Sequence, residues 1–319
     1  MAGSKEILLD PVFLRKLEGL RIQARRAFPG TMRGERRSTR RGASVEFRDF
    51  RKYEAGDDFR HIDWSIFARL ERLMLRQFVE EEDARIDVLI DQSRSMHFGR
   101  PITKFDFARR AAAALAFLAV SSLDRVGVSA FDSGMRAHVR ALRGRGHLHS
   151  ILAFLERLSE NSDDCSTDNF EQSENGASVT EASAVTNLSA VLRSYQRSNQ
   201  RPGIVFVISD FLDPGDFRIE MKLLAGRGFD LNLIQVLAPD ELNPQAVGDL
   251  MLVDSESFSA REVTINERVM AAYQAALTGY TTSLESFCRA NGIGYTLITA
   301  DASFEDLLLK GLVEGRMAE

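Results

Sequence analysis

The chain has 319 residues, of which 44% are hydrophobic and 27% are charged, and its formal net charge is -5 at pH 7. This length and composition are those of an ordinary globular protein that can bury a sizeable core. The longest apolar stretch, "AAAALAFLAV" at 111–120, is shorter than the roughly 18 residues that a membrane-spanning helix needs, so the sequence argues against such a helix.

Cysteine content and the N-terminal sequence bear on the cellular location. Two cysteines, Cys165 and Cys288, lie far apart and outside any CxxC pattern, so the sequence indicates neither a disulfide framework nor a cysteine-based metal site. Residues 1–20 mix charged and apolar side chains and lack the apolar core of a secretory signal. We therefore expect a cytoplasmic protein.

Charge is distributed unevenly along the chain. Residues 21–41 contain eight Arg and one Glu, whereas residues 159–184 contain seven Asp or Glu and neither Lys nor Arg. The Arg-rich segment is either a solvated charge run or a surface that binds nucleic acid or an acidic protein. The acidic segment has the composition of a flexible loop.

The first part of the chain predicts one helix and a small sheet. Apolar residues recur at roughly helical spacing over 10–28, which predicts an N-terminal helix that leads into the Arg-rich segment. Apolar patterning predicts strands at 44–53 and 73–79. Between them, residues 63–70 predict a short helix for which Asp63 is the N-cap.

From residue 84 the sequence alternates between apolar strands and helices. The predicted strands are 86–90, 125–131, 203–209, 230–237 and 295–299. The predicted helices are 104–122, 147–158, 187–195, 216–228, 266–290 and 303–312. Near-continuous apolar strands that alternate with helices are typical of a mainly parallel sheet covered on both faces. We therefore predict a doubly wound α/β domain.

One segment interrupts this alternation. Residues 249–254 and 261–265 have the pattern of two strands of a hairpin. We expect this hairpin to pair with the strands of residues 43–80 and to form a small side sheet with them.

Oxygen-bearing side chains follow the predicted strands. Asp91, Ser93 and Ser95 come directly after the first strand of the α/β region, Asp210 ends a later strand in the same way, and Thr186 stands at a helix start. In an open parallel sheet, ligands bind at the carboxyl ends of the strands. Hard oxygen ligands suit Mg²⁺, Mn²⁺ or Ca²⁺. The sequence therefore predicts a divalent-cation site formed by these five residues.

The same residues carry a family resemblance. In this order on an alternating α/β chain, they resemble the metal-ion-dependent adhesion site of a von Willebrand factor A domain. The stretch "YEAGDDFRHIDWSIFARLERLMLRQF" at 53–78 resembles the signature of the bacterial family called domain of unknown function 58. The matching residues are Tyr53, Gly56, Asp57, Arg60, Ile62, Asp63, Trp64, Ala68 and Arg69. The resemblance covers roughly residues 30–300, with Asn187 where many relatives carry Asp.

The sequence patterns and this resemblance together predict a domain organisation. Residues 1–42 form an N-terminal helix and the Arg-rich segment, and residues 43–83 form the signature region with the side sheet. Residues 84–319 form a von Willebrand factor A-like domain, which contains the hairpin insertion 249–265 and the flexible acidic loop 159–184.

The resemblance also implies a function. In von Willebrand A sites the Ser and Thr hydroxyls ligate the cation, the aspartates often act through water, and the last coordination position accepts a carboxylate from a partner. Members of this family are commonly associated with MoxR-type AAA+ ATPases. The resemblance therefore implies an adaptor that depends on Mg²⁺, with Mn²⁺ or Ca²⁺ as alternatives, and that binds an acidic residue of an unknown client protein.

Two other functions fit parts of the sequence. A metal-dependent hydrolase or phosphoryl-transfer enzyme generally needs an acidic nucleophile or base beside the metal, but Ser93 stands two residues after Asp91, where dehalogenase-like enzymes carry a second aspartate. The GxxxxGK, GxSxG and GxGxxG motifs are absent as well, so we expect no enzymatic activity. Nucleic-acid binding through residues 21–41 is not expected either, because no recognised nucleic-acid motif accompanies these arginines.

The signature region also has a structural interpretation. We expect charge-assisted hydrogen bonds to fasten the side sheet to the main domain, with Trp64 as an apolar plug. The residues expected to form these bonds are Asp57, Arg60, Asp63 and Arg69. Contact with a partner is the alternative role of these residues.

Three further features have both a structural and a functional interpretation. His147 and His149 do not predict a zinc site, because a spacing of two at a helix start points their rings apart. His97 follows the predicted site loop and is interpreted as a surface residue, with a place on the rim of the site as the alternative. The acidic segment 159–184 is interpreted as a loop, with a mobile flap that places a carboxylate on the cation as the alternative.

Overall fold

A computed structural model describes residues 46–54, 57–79, 85–122, 124–160, 186–213, 215–244, 248–253 and 259–303. These residues fall into two compact units, one within residues 28–84 and the other from residue 85 onward. Several predictions lie outside the described residues: the N-terminal helix, the Arg-rich segment, residues 161–184 of the acidic segment and residues 304–312 of the last helix.

The described part of the chain contains ten strands and seven helices. The strands are β1 (Glu46–Lys52), β2 (Met74–Val79), β3 (Arg85–Asp91), β4 (Arg125–Phe131), β5 (Met135–Leu142), β6 (Ile204–Ser209), β7 (Asp230–Leu237), β8 (Gly248–Val253), β9 (Ala260–Ile265) and β10 (Gly294–Thr299). The helices are α1 (Trp64–Leu70), α2 (Lys104–Ser121), α3 (Arg145–Glu160), α4 (Leu188–Ser198), α5 (Arg218–Gly226), α6 (Pro239–Leu242) and α7 (Glu267–Ala290). None of these described helices combines the length and the apolar composition that crossing a bilayer requires.

The central sheet has six strands in the order β10-β7-β6-β3-β4-β5. All neighbouring pairs in it are parallel except β4 and β5. The register places Asp91 of β3 opposite Phe131 of β4, and Ile90 opposite Ile208 of β6. The carboxyl ends of these strands therefore lie at one edge of the sheet, which we call the carboxyl edge. The predicted mixed α/β fold with a mainly parallel sheet is confirmed.

Helices cover both faces of the central sheet. Successive side chains of a strand point to opposite faces, so Val88 and Ile90 of β3 face one side and Leu89 faces the other. Val88 and Ile90 belong to a buried cluster that includes residues of α2 and α3, whereas Leu89 packs in a second cluster with residues of α4, α5 and α7. Each fully buried Val, Leu or Ile side chain stabilises the fold by about 1.5–3 kcal/mol. The sheet thus provides a rigid base for the loops at its carboxyl edge.

The unit within residues 28–84 is built around β1 and β2. These two strands pair with each other in an antiparallel sheet. Asp63 caps α1 as predicted, because its carboxylate accepts hydrogen bonds from the backbone N–H groups of Ser65 at 2.9 Å and Ile66 at 3.1 Å. Asp57 accepts a hydrogen bond from the Arg51 guanidinium at 2.8 Å.

The small sheets differ from the prediction. Strands β8 and β9 pair with each other in a sheet that is separate from the sheet of β1 and β2, so the predicted joint side sheet is wrong. Each pair consists of strands that are close in sequence, and local pairing has a lower loop-closure cost than pairing between distant segments. The structure also contains the edge strand β5, which we did not predict, although polar residues occupy every second position of it.

The expected role of Trp64 is wrong as well. Its side chain is 60% exposed, so it is not an apolar plug. Helix α1 has no buried residue. Among the residues of this unit whose burial is described, the buried apolar ones are Ile62 and Leu75, which meet in an isolated β-bridge.

Candidate functional site

The last residue of β3, Asp91, places a buried carboxylate at the carboxyl edge, where it is 1% exposed. One carboxylate oxygen accepts a hydrogen bond from the backbone N–H of Ser93 at 2.9 Å, and the other accepts one from the hydroxyl of Ser209 at 2.6 Å. The Ser209 oxygen in turn accepts a hydrogen bond from the backbone N–H of Phe211 at 3.0 Å. The loops that follow β3 and β6 are therefore joined through the Asp91 carboxylate.

The two predicted serine ligands lie in contact. The hydroxyl oxygens of Ser93 and Ser95 are 3.0 Å apart. Ser93 precedes a short 3-10 turn, Arg94–His97, and this turn brings Ser95 back toward Ser93. In an octahedral Mg²⁺ site with metal–oxygen distances of about 2.0–2.1 Å, neighbouring ligand oxygens are about 2.9 Å apart. The hydroxyl pair thus has a spacing that fits two adjacent ligands of one divalent cation.

Asp210 follows β6 and is the second buried carboxylate at this edge. Its Oδ1 atom accepts a hydrogen bond from the backbone N–H of Leu212 at 3.1 Å, and its Oδ2 atom accepts one from Lys104 Nζ at 2.9 Å. Burial, followed by the charge of Asp210, raises the pKa of Asp91 to about 7. The like charge of Asp210 disfavours the ionised form of Asp91, and a cation bound at this edge would relieve that repulsion.

The turn that carries Asp210 is held from several sides. Phe211 is fully buried and has a φ of 55°, a left-handed conformation that is costly for a bulky residue. The hydroxyl of Tyr280 on α7 donates a hydrogen bond to the Phe211 carbonyl. The Gln235 amide on β7 donates to the Asp210 carbonyl at 2.7 Å. Such a conformation costs about 1–3 kcal/mol and persists where the surrounding contacts fix it.

Thr186 lies at the same edge, next to the start of α4. It is buried, and the following residue, Asn187, is the N-cap of α4. The backbone N–H of Asn187 donates to the carbonyl of Asp132, just after β4, at 3.4 Å. The backbone N–H of Leu188 donates to the Asp213 carboxylate, in the loop after β6, at 2.7 Å. Thr186 is therefore placed by the loops that follow two strands of the central sheet.

Lys104 and Glu241 belong to this edge but were not predicted from the sequence. Lys104, the first residue of α2, is fully buried, and its Nζ atom lies 2.9 Å from Asp210 Oδ2 and 2.6 Å from Glu241 Oε1. Burial acts to lower the pKa of Lys104, but the two carboxylates outweigh this effect and raise the pKa. A lysine at a helix start normally lies in solvent, and its partners here are 106 and 137 residues away, so no local pattern identifies the pair.

The structure places the predicted ligands at the carboxyl edge: Ser93 contacts Asp91 and Ser95, the charge of Asp210 acts on Asp91, and Thr186 lies next to the start of α4. Within the described residues, no group of three or more His, Cys, Asp or Glu side chains is arranged to hold a metal ion. The candidate site differs from such a group, because it combines two carboxylates with three hydroxyls. These five residues are Asp91, Ser93, Ser95, Thr186 and Asp210.

The histidines singled out in the sequence make structural contacts. His147 Nε2 lies 2.8 Å from the Val126 carbonyl oxygen, and His149 Nδ1 lies 3.2 Å from the Arg145 carbonyl oxygen. The ring of His97 is half-buried and packs on the ring of Phe105 with a centroid distance of 4.9 Å. His97 is therefore part of a ring contact and is less exposed than the surface residue expected from the sequence.

Comparison with known families identifies the chain at the level of family. Residues 49–282 match the family described as "Protein of unknown function DUF58". The chain belongs to this family. The matched residues include the signature region as well as the residues of the candidate site.

Several proteins are similar to this member of the DUF58 family. "Uncharacterized protein Mb1516" of Mycobacterium bovis is 26% identical over 284 residues, which cover 89% of this chain and 83% of that protein. "Uncharacterized protein MAV169" of Mycobacterium avium is 25% identical over 115 residues, which cover 36% of this chain and 68% of that protein.

Two solved structures are similar at lower identity. The conserved hypothetical protein BatB from Bacteroides thetaiotaomicron has 16% identity and a TM-score of 0.42, and the match covers 74% of this chain and 98% of that one. An aerotolerance-related membrane protein from Bacteroides fragilis has 15% identity and a TM-score of 0.43, and the match covers 72% of this chain and 99% of that one.

Proposed function

We propose that this DUF58 protein is a divalent-cation-dependent protein-binding adaptor that works with a MoxR-type AAA+ ATPase on a client protein. One observation carries the cation-binding part of the proposal: the carboxylates of Asp91 and Asp210 and the paired hydroxyls of Ser93 and Ser95 meet at the carboxyl edge of a parallel sheet. The von Willebrand factor A-like assignment, the ATPase partner and a cytoplasmic location rest on the family resemblance and the sequence.

In this proposal the residues of the candidate site hold a cation, and the cation contacts the partner. Asp91, Ser93, Ser95, Thr186 and Asp210 hold the cation, for which Mg²⁺ is the first choice and Mn²⁺ or Ca²⁺ are alternatives. The bound cation supplies a positive centre for a carboxylate of the partner. Hydroxyl ligands add no charge, so a site with three of them leaves the cation more electropositive than a site of carboxylates would.

The contacts of Asp91 support binding rather than catalysis. Both of its carboxylate oxygens accept hydrogen bonds within the protein, and the residue is almost fully buried. Each oxygen keeps a second lone pair that can face a cation, but a carboxylate this deeply buried is poorly placed to reach a reacting substrate atom, as a nucleophile or general base has to. We therefore propose that the protein is not an enzyme.

Titration calorimetry on the purified full chain tests the cation-binding part. We expect Mg²⁺ and Mn²⁺ to bind with a stoichiometry near one, and Asp91→Ala to abolish the binding heat because it removes a charged ligand. The matched control is Asp249→Ala, which removes an exposed carboxylate of the β8–β9 hairpin and should leave binding unchanged. A wild-type protein that takes up neither ion contradicts the proposal.

A binding experiment with the purified MoxR-type ATPase of the same organism tests the partner. We expect the wild-type chain to retain the ATPase, or the ATPase with its client, in Mg²⁺ and to release it in EDTA. Asp91→Ala should behave in Mg²⁺ as the wild type does in EDTA. Retention that is unaffected by both EDTA and Asp91→Ala would remove the cation from the mechanism.

A further inference from the structure

Four charged side chains follow one another along the carboxyl edge, and we call them the charge row: Asp91, Asp210, Lys104 and Glu241. Asp91 ends β3, Asp210 follows β6, and Glu241 lies on α6 after β7. The strand order β7-β6-β3 places Glu241 one strand further from Asp91 than Asp210 is. Lys104 Nζ joins the last two carboxylates, at 2.9 Å from Asp210 and 2.6 Å from Glu241.

The position of Lys104 is unfavourable unless its charge has a role. Lys104 is the first residue of α2, where the helix dipole disfavours a positive charge. It is the only buried lysine among the described residues, and burying an ammonium group costs several kcal/mol before its ion pairs are counted. An apolar side chain would fill the same space without that cost. The charge of Lys104, rather than its volume, is therefore the property to explain.

Glu241 fixes the ammonium group from the far side. Its Oε1 atom contacts Lys104, and its Oε2 atom accepts a hydrogen bond from the backbone N–H of Ala238 at 2.7 Å. The hydroxyl of Tyr273 on α7 donates to the Glu241 carbonyl at 2.8 Å. Both carboxylate oxygens of Glu241 are thus engaged, and Lys104 is held against Asp210.

We propose that Lys104 and Glu241 set the charge of the candidate cation site, with Lys104 offsetting Asp210 so that a bound divalent ion keeps positive charge for an acidic group of the partner. This inference rests on the proposed function and deepens it. Asp91 and Asp210 alone would neutralise a divalent ion. When the Lys104 ammonium beside Asp210 is counted, the ion, its two carboxylates and the ammonium sum to +1, while Glu241 adds a negative charge one strand further from Asp91. Lys104 and Glu241 are positioning residues, because they act through Asp210.

If the charges of Lys104 and Glu241 matter, the cation affinity should differ among four proteins in a different way than if only their ion pairs matter. The four proteins are the wild type, Lys104→Met, Glu241→Gln and the double variant. Counting Asp210, Lys104 and Glu241, the local charge is -1 in the wild type, -2 in Lys104→Met, 0 in Glu241→Gln and again -1 in the double variant. A unit charge a few ångströms from a divalent ion changes its affinity by at least about tenfold, even at an effective dielectric constant of about 20. The double variant restores the wild-type charge but lacks both ion pairs.

The experiment measures the Mn²⁺ dissociation constant of the four full-length proteins by calorimetry and by the loss of the free-ion electron paramagnetic resonance signal. We expect Lys104→Met to bind Mn²⁺ at least about tenfold more tightly than wild type and Glu241→Gln at least about tenfold more weakly. The double variant should bind Mn²⁺ more tightly than wild type and less tightly than Lys104→Met, since the lost positive charge contacts Asp210 and the lost negative charge lies one strand further away. Glu285→Gln, in an exposed ion pair on α7, is the control and should not change the affinity.

The outcomes separate this inference from the proposed function. Binding of Mn²⁺ to the wild type, with weaker binding in both Lys104→Met and the double variant, overturns the inference and leaves the proposed function standing. No binding in the wild type overturns the proposed function and the inference with it. Thermal unfolding without metal shows whether each variant folds. If Lys104→Met does not fold, Lys104→Gln replaces it with the same expected direction.

Discussion

The two ends of strand β3 both carry buried charge, but they use it differently. At the amino end, the Asp87 carboxylate receives the Arg85 guanidinium, with Nε 2.8 Å from Oδ2, and the hydroxyl of Tyr195 at 2.6 Å. Arg85 also donates to the side-chain oxygen of Asn199. The negative charge at this end is therefore matched by a cation within the chain.

At the carboxyl end of the same strand, the donors to Asp91 are neutral. They are the backbone N–H of Ser93 and the hydroxyl of Ser209, and the nearest charge that acts on Asp91 is the like charge of Asp210. The Lys104 ammonium contacts Asp210 and Glu241. Because Asp87 and Asp91 are both buried but only Asp87 is paired with a cation of the chain, burial alone does not mark a functional site. A site is indicated where buried charge is incompletely balanced at a place that ligands reach.

The largest expected effect is on the pH dependence of stability at the carboxyl end. The pKa of Asp91 is raised from 3.8 to about 7 in the folded protein. Below about pH 4, Asp91 is protonated in both the folded and the unfolded chain, and its contribution to stability is fully present. As the pH rises through about 7, the unfolded chain ionises first, so the free energy of unfolding falls and this contribution is lost. At about 1.4 kcal/mol per pH unit, the loss is at most about 4 kcal/mol.

Urea unfolding of the metal-free protein at several pH values measures this effect. We expect the stability of wild type relative to Asp91→Asn to fall between about pH 4 and pH 7, because the variant cannot ionise at this position. Mg²⁺ should restore the stability of wild type at pH 8 and leave Asp91→Asn unchanged. Parallel pH profiles of the two proteins would show that Asp91 ionises normally, and the contrast between the two strand ends would then disappear.

The next largest effect concerns the amino end. Tyr195→Phe removes a hydrogen bond to the buried charge of Asp87 and should lower the free energy of unfolding by about 1.5–3 kcal/mol, without changing the affinity for Mg²⁺. Tyr273→Phe, in which the lost hydrogen bond joins an exposed residue to a backbone carbonyl, is the control and should cost less than about 1 kcal/mol. Weaker Mg²⁺ binding in Tyr195→Phe would mean that the two ends are coupled.

The sequence predicted those parts of the fold that depend on local apolar patterning. The bounds of β4 and β7 agree with the prediction to the residue, because each is a mostly apolar run that ends where the pattern changes. Strand β5 was missed although Arg136, His138 and Arg140 alternate with its inward-facing residues, a period of two that is typical of a half-buried strand. The separate hairpin of β8 and β9 was predicted, but its pairing with distant strands was not correct.

In the candidate site as well, the residues with a local sequence pattern were predicted and those that depend on distant contacts were not. Asp91, Ser93 and Ser95 were found from their spacing after a strand, and Asp210 was found because it ends a strand. Lys104 and Glu241 could not be found in this way, because their meeting depends on how three loops pack at the carboxyl edge. Their sequence positions are 137 residues apart. Short-range patterns thus predicted the proposed ligands, whereas the residues that set their charge required the fold.

The smallest expected effect tests the hydroxyl pair at the carboxyl end. Ser95→Ala removes one neutral ligand and leaves both carboxylates, so we expect Mn²⁺ affinity to fall by about tenfold, or about 1.4 kcal/mol, with little change in stability. Ser198→Ala is the matched control, because its hydroxyl donates to a carbonyl within α4 at 3.0 Å. Equal affinities of the two variants would show that the 3.0 Å contact between Ser93 and Ser95 is only part of a turn. The contrast between the strand ends would then rest on the carboxylates alone.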